Sequence, residues 1–167
     1  MKNSLPPLHQ WPAPYRKLVF LFLIVITAGY SAGFANLLVT GQSTVGGVQT
    51  ALRGVPESEL ETAEEIVLPK PLRELIITTH NHLLGLSTIF FLVGFLFLHT
   101  SYFSPGLRLV LAAEPLLSLL LTFVAMWLTR FVADWFAYLV FLGGVLTHPV
   151  FVGLLVANFI ALSKGKL

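Results

Sequence analysis

The sequence predicts an all-α protein, a polytopic transmembrane four-helix bundle. Three observations carry that prediction: an excess of apolar side chains, four unbroken apolar runs of membrane-crossing length, and turn-forming or charged residues gathered in the gaps between them. Hydrophobic residues make up 56% of the 167 and charged residues only 11%, with a mean hydropathy of +0.83, against roughly 25% charged residues in soluble domains. A water-soluble chain of this size still exposes about 30% of its unfolded surface, so lipid is the natural solvent for so apolar a composition. Cysteine is absent, which excludes disulfides, thiolate metal sites, iron–sulfur clusters and covalent c-type haem. Any cofactor must be held by His, Met, carboxylate or packing. The net charge of +2 comes from a few Lys and Arg at segment ends; in a membrane chain these report topology, and no nucleic-acid role is assigned.

Taken in order, residues 1–17 form an N-terminal tail and 18–39 the first span; a long loop covers 40–74, and further spans cover 75–99, 107–129 and 135–162. Each run reaches the roughly 20 helical residues that cross a hydrocarbon core. Helices are expected because the runs are continuous rather than alternating, and because a helix satisfies its own backbone hydrogen bonds in lipid. Arg16 and Lys17 before an apolar run resemble a signal peptide, but Leu18 to Val39 exceeds the usual length of such a core and is read as an uncleaved span. Ser104-Pro105-Gly106 and the segment from Arg130 to Asp134 are expected to make tight helical hairpins. In the long loop, a short helix is expected near Val45–Arg53, followed by an acidic stretch with Glu57, Glu59, Glu61, Glu64 and Glu65. That acidity reads first as a solvated surface and second as a docking site for a basic cytochrome.

Lys2, Arg16, Lys17, Arg108, Lys164 and Lys166 fall on one side of the membrane, and Arg53, Lys70, Arg73 and Arg130 on the other. This bias predicts cytoplasmic termini and an outer, periplasmic long loop in a bacterial inner membrane.

Ionisable groups inside a span are costly and normally face a bundle interior, a cavity or a cofactor. His80, Asn81 and His82 lie early in the second span, with His99 at its far end, Glu114 in the third and His148 in the fourth. His80 and His82 point about 200° apart on a helix and cannot both ligate one metal. His80 shares a seven-residue spacing with Ser87 and Gly94, which predicts a buried His80 face; His82 stacks with Leu86, Ile89 and Val93, which predicts an outward face. Counting about 1.5 Å per residue from the Pro105 turn, His80 and His82 come level with Met126, Trp127 and Arg130 near the outer surface. His with Met could hold a b-type haem, with Arg130 on a propionate. The same groups also suit a quinone packed on Trp127. His148 falls near the midplane, at neither histidine's depth; a buried histidine bonded to a neighbouring carbonyl explains it, with haem ligation as the alternative. Glu114, Ser118 and Thr122 form one stripe, and His99 is expected to meet Glu114, either as a proton path or as a paired buried charge beside small-residue packing.

Together, Gly46-Gly47-Val48 to Arg53-Gly54, Pro71-Leu72-Arg73-Glu74-Leu75, Thr79-His80-Asn81-His82-Leu83, Trp127-Leu128-Thr129-Arg130-Phe131 and Gly143-Gly144 resemble a family of small four-span bacterial membrane proteins associated with respiratory cytochrome systems. The resemblance implies a site made by His80, His82, Trp127 and Arg130, in a family whose usual tyrosine is here Phe131. The expected function is thus a membrane subunit of a respiratory or electron-transfer complex. It would meet lipid, other membrane subunits or a periplasmic cytochrome, and carry a haem b or a quinone while doing little bond chemistry itself. A non-catalytic scaffold or assembly subunit is the alternative.

Overall fold

The computed structural model describes residues 6–40, 43–56, 58, 61 and 66–164. The expectations placed on Lys2, Lys166, Glu57, Glu59, Glu64 and Glu65 lie outside the described residues. Four long helices are present, α1 (Ala13–Val39), α3 (Leu72–Leu98), α4 (Pro105–Phe131) and α5 (Ala137–Ser163), with a short α2 (Val45–Arg53) between the first two. All four long helices are apolar enough to cross a membrane. Each has 27 residues, about 40 Å at 1.5 Å per residue, so they exceed the hydrocarbon thickness with room for tilt. The all-helical, four-span architecture predicted from composition is therefore the one observed.

Local chemistry sets the ends. Pro14 occupies the first turn of α1, and Pro105 that of α4, where the missing N–H is not needed. Ser104 caps α4 by accepting a hydrogen bond from the Leu107 N–H, and Thr44 caps α2 by accepting one from Gly47. Pro105 and Gly106 are already helical, so the tight turn between α3 and α4 falls on residues 99–104, with Phe103 at a positive φ of 63°. At the other end, Gly54 terminates α2 with φ 82°. A Cβ there would lie 2.8 Å from the Val67 carbonyl oxygen, so glycine is required both by conformation and by space. The chain returning beside α2 is tied by Val55 N–H to Val67 O and Lys70 N–H to Leu52 O.

Helices α3, α4 and α5 form the packed unit. Gly94 lets α3 approach α4 so closely that a Cβ would sit 2.9 Å from the Ala112 carbonyl oxygen, and at Gly143 a Cβ would sit 2.0 Å from Thr122 Oγ1 on α4. Small residues at such points are how helices associate in lipid, where dispersion packing replaces the hydrophobic effect. Fully buried Asn158 adds a hydrogen bond from its side-chain amide to the Val93 carbonyl, joining α5 to α3. The main core, including Phe90, Val93, Phe97, Leu119, Phe123, Phe151 and Leu154, lies among these helices. A smaller cluster of Val48, Leu52, Leu75 and Ala137 seats α2 on the loop end of the bundle, and Met126 packs against both clusters. By contrast, only 6% of the apolar window of α1 is buried within the chain.

Replacing Gly143 by Leu is expected to destabilise the bundle by about 1–3 kcal/mol through overpacking. Thr122→Ala in the same chain should recover part of the loss, measured as detergent-solubilised thermal midpoints.

Candidate functional site

At the loop end of the bundle, α3 and α4 leave between them a groove of about 240 Å³ lined by Thr79, Leu83, Leu120, Phe123, Val124, Trp127 and Leu128. The Trp127 indole N–H donates to Thr79 Oγ1 at 3.0 Å, and Thr79 in turn donates to the Leu75 carbonyl at 2.7 Å. The level match between the start of α3 and the end of α4 thus brings Trp127 onto Thr79. Beside this groove, the His82 ring lies 5.8 Å from that of Phe123. Its Nδ1 is 2.9 Å from the Thr78 carbonyl oxygen. A carbonyl can only accept, so Nδ1 carries the proton and Nε2 of the neutral ring is left with its lone pair.

Arg130 donates from Nε to the Lys70 carbonyl, and Arg53 donates from Nη1 to the Thr129 carbonyl, both at 3.0 Å. These guanidiniums clamp the returning loop and α2 onto the end of α4. The Arg130 guanidinium also lies 5.0 Å from the centre of the Phe131 ring, so this contact needs no hydroxyl at that position.

The facing of α3 differs from the expectation. Val93 is fully buried and Leu86 and Ile89 pack against the core, while His80 is exposed together with Asn81 and with His82, which is outward as expected. A straight helix drifts about 20° per heptad. Over the two heptads separating His80 from Gly94, that drift carries His80 away from the buried side. The spacing of eleven between His82 and Val93 is nearly in phase, which turns His82 toward α4. Met126 is packed between the two apolar clusters rather than beside exposed His80.

At the opposite, hairpin end, His99 is 5% exposed. Its Nδ1 is 3.1 Å from the Pro6 carbonyl oxygen, and its ring is edge-on to Trp11 at 4.9 Å. The Leu8 N–H bonds the His99 carbonyl at 3.0 Å. Glu114 instead accepts from Ser118 Oγ within its own helix, at 2.5 Å. His99 and Glu114 share no hydrogen bond: residues 6–11 fold back over the hairpin end and hold the histidine's Nδ1, while its Nε2 and Glu114 Oε2 are each buried without a hydrogen-bond partner. Thr122, the next member of the Glu114 stripe, is the residue pressed against Gly143. His148 on α5 bonds through Nδ1 to the Gly144 carbonyl at 2.8 Å, and its ring lies 5.8 Å from Tyr30 and 5.1 Å from Phe34, both on α1.

Sequence reasoning gave no site role to Thr79, Phe123, Arg53 or Tyr30, although Thr79 and Arg53 stand in the motifs quoted above. Thr79 and Phe123 were within reach of the same depth arithmetic that paired α3 with Trp127. Arg53 closes a short helix whose Val48 and Leu52 recur at a spacing of four. Nothing in the sequence pattern marks Tyr30.

The fold and the arrangement of its polar groups define a polytopic helical membrane protein. Residues 42–166 match the family model Aq_1264_TM, a transmembrane helical domain, and the chain belongs to that family. The match takes in α2 to α5 and leaves α1 outside. No curated protein and no solved structure matches the chain.

Arg53→Ala and Arg130→Ala should each cost about 1.5–3 kcal/mol, the scale of a hydrogen bond to a charged group. Each should also accelerate limited proteolysis between residues 54 and 71, read by mass spectrometry of the fragments.

Proposed function

We propose that the protein is a membrane subunit of an electron-transfer complex in the bacterial inner membrane, with both termini cytoplasmic and a redox group held at His82 on the periplasmic side. The observation that carries this reading is the state of His82. It is exposed beside the α3–α4 groove, with Nδ1 committed to the Thr78 carbonyl and Nε2 available as a lone-pair donor, the arrangement typical of a metal-ligating histidine. A b-type haem would supply one-electron chemistry there when bound. His82 is the residue of this chain that would hold it; Met126, packed between two apolar clusters, is not placed to do so, and any further ligand would come from a partner. Exposed His80 and Asn81 support a partner packed against the outer side of α3, because an imidazole and an amide facing lipid are costly unless another chain covers them. That partner is a second membrane subunit or a periplasmic cytochrome.

A quinone is the second reading, favoured by the groove itself. Trp127 and Phe123 offer aromatic walls, while the protons of Trp127 and Thr79 are already spent, leaving His82 as the polar anchor.

The reduced-minus-oxidised visible spectrum of the complex purified in mild detergent tests the haem. A Soret and α-band signal should vanish in His82→Ala and persist in His80→Ala. No haem signal, with quinone binding that depends on His82, would select the second reading; neither signal in a fully assembled complex would leave a scaffold subunit. Because the chain has no cysteine, orientation is tested separately. A Cys at position 43 should react with an impermeant maleimide from the periplasm, and one at position 3 should not.

A further inference from the structure

Helix α3 differs from its neighbours in what it turns outward. The exposed positions in the middle of α4 and α5 are apolar, as at Leu117, Leu121 and Val124 on α4 and Val145, Val152 and Val156 on α5. On α3, Ile77, Asn81, Leu84, Thr88, Phe91 and Phe95 are all exposed and recur at alternating spacings of four and three, the a/d repeat by which two helices supercoil around each other. Val93 and Leu86, on the opposite side of the helix, belong to the core, so this strip is the outer face of α3.

Two members of the strip are polar, and they are not equally satisfied. Thr88 donates to the Leu84 carbonyl at 2.8 Å, within its own helix. The Asn81 side chain makes no hydrogen bond among the described residues. It stands about 14 Å along a helix of about 40 Å, inside a centred hydrocarbon core of about 30 Å. An amide left there without a partner is costly. Because an amide is both donor and acceptor, two of them at one depth can bond reciprocally. An Asn at an a position is also the residue that fixes the register of a parallel pair. Two copies of this chain in one membrane have parallel α3 helices at equal depth, and a two-fold axis between them sets like residue against like.

We infer that the chain forms a two-fold symmetric dimer through this strip, with Asn81 bonded to Asn81 of the second copy. The second membrane subunit on the outer side of α3 is then another copy of this chain. In such a seam each a side chain enters a hole whose edge is the preceding g residue of the facing helix. Asn81 therefore meets His80 of the second copy, which covers the other exposed polar group. That imidazole lies over the facing Gly85, where a Cβ would meet nothing within 4 Å in this chain. By the same rule Glu74 meets Arg73 across the axis, an exposed acid against an exposed base, so the face is complementary to itself in charge. A left-handed crossing of about 20° follows the drift of the strip along the helix. His82 lies about 130° round α3 from the middle of the strip, at about 100° per residue, so the pairing is independent of any redox group held there.

The chain has no cysteine, so single-cysteine variants of the full chain report the contact directly. They are oxidised with copper phenanthroline in native membranes, and the product is read on a non-reducing gel. Ile77→Cys and Leu84→Cys should give at least fivefold more disulfide-linked dimer than Ile76→Cys, which is as exposed as Ile77 but off the strip, or than Leu121→Cys on α4. Adding Asn81→Ala to the Leu84→Cys chain should lower the yield at least fivefold, whereas Asn81→Gln, which keeps the amide, should retain most of it. Asn81 is exposed, so neither change disturbs the core. Equal yields at positions 76 and 77, including none at either, would overturn the dimer. So would a yield unaffected by Asn81→Ala, or a cross-linked product whose mass is not twice that of the chain.

Discussion

The close contact of α4 with its two neighbours governs the rest of the structure. In lipid, helices gain little from hiding apolar surface, so association depends on how near their backbones come and on the few polar groups that cross between them. Gly94 against Ala112 and Gly143 against Thr122 set that distance on the two sides of α4, and Asn158 closes the triangle by bonding the Val93 carbonyl. Everything else hangs on this three-helix unit. The small apolar face of α2 rests on the end the unit presents, and the Arg53 and Arg130 clamps reach carbonyls whose positions it fixes.

What was legible in the sequence followed from length and composition. Four continuous apolar runs have one solution in a bilayer, and the short helix at Val45–Arg53 was marked by its apolar spacing and by the glycine that ends it. The rotation of α3 was not legible. A seven-residue spacing of small residues is ambiguous by tens of degrees over two heptads, enough to move His80 from the interior to the surface. Nor could periodicity reveal that residues 6–11 would claim His99, since that contact joins positions 93 apart. Of the candidate site, the levels of Trp127 and the start of α3 could be read in advance; the hydrogen bonds that occupy Trp127 and Arg130 could not, because their acceptors are Thr79 and a loop carbonyl.

Those hydrogen bonds sort the polar residues into two kinds. Trp127, Arg130 and Arg53 each donate to a neighbouring segment, and their conspicuous chemistry is explained by holding the chain together. His82 and His148 differ. Each places its Nδ1 proton on the carbonyl four residues earlier in its own helix, a bond that ties the ring to its own backbone and to no other segment. Its effect is to fix the tautomer and turn Nε2 outward. Of the two, His82 is exposed and His148 is partly buried against Tyr30 and Phe34 of α1, which is why the proposed function rests on His82.

The two positions also differ in their surroundings. His82 stands exposed on α3 beside its contact with α4, where the two helices are mutually fixed. His148 faces α1, the helix least buried in the chain and the one outside the matched family region. A contact surface as small as that of α1 allows its separation from α5 to change at little cost in packing, whereas opening the α3–α4 groove would strain the Trp127–Thr79 hydrogen bond. The α1 side of the bundle is therefore the more adaptable of the two, and the buried Tyr30 hydroxyl, which has no hydrogen-bond partner, does nothing to tighten it.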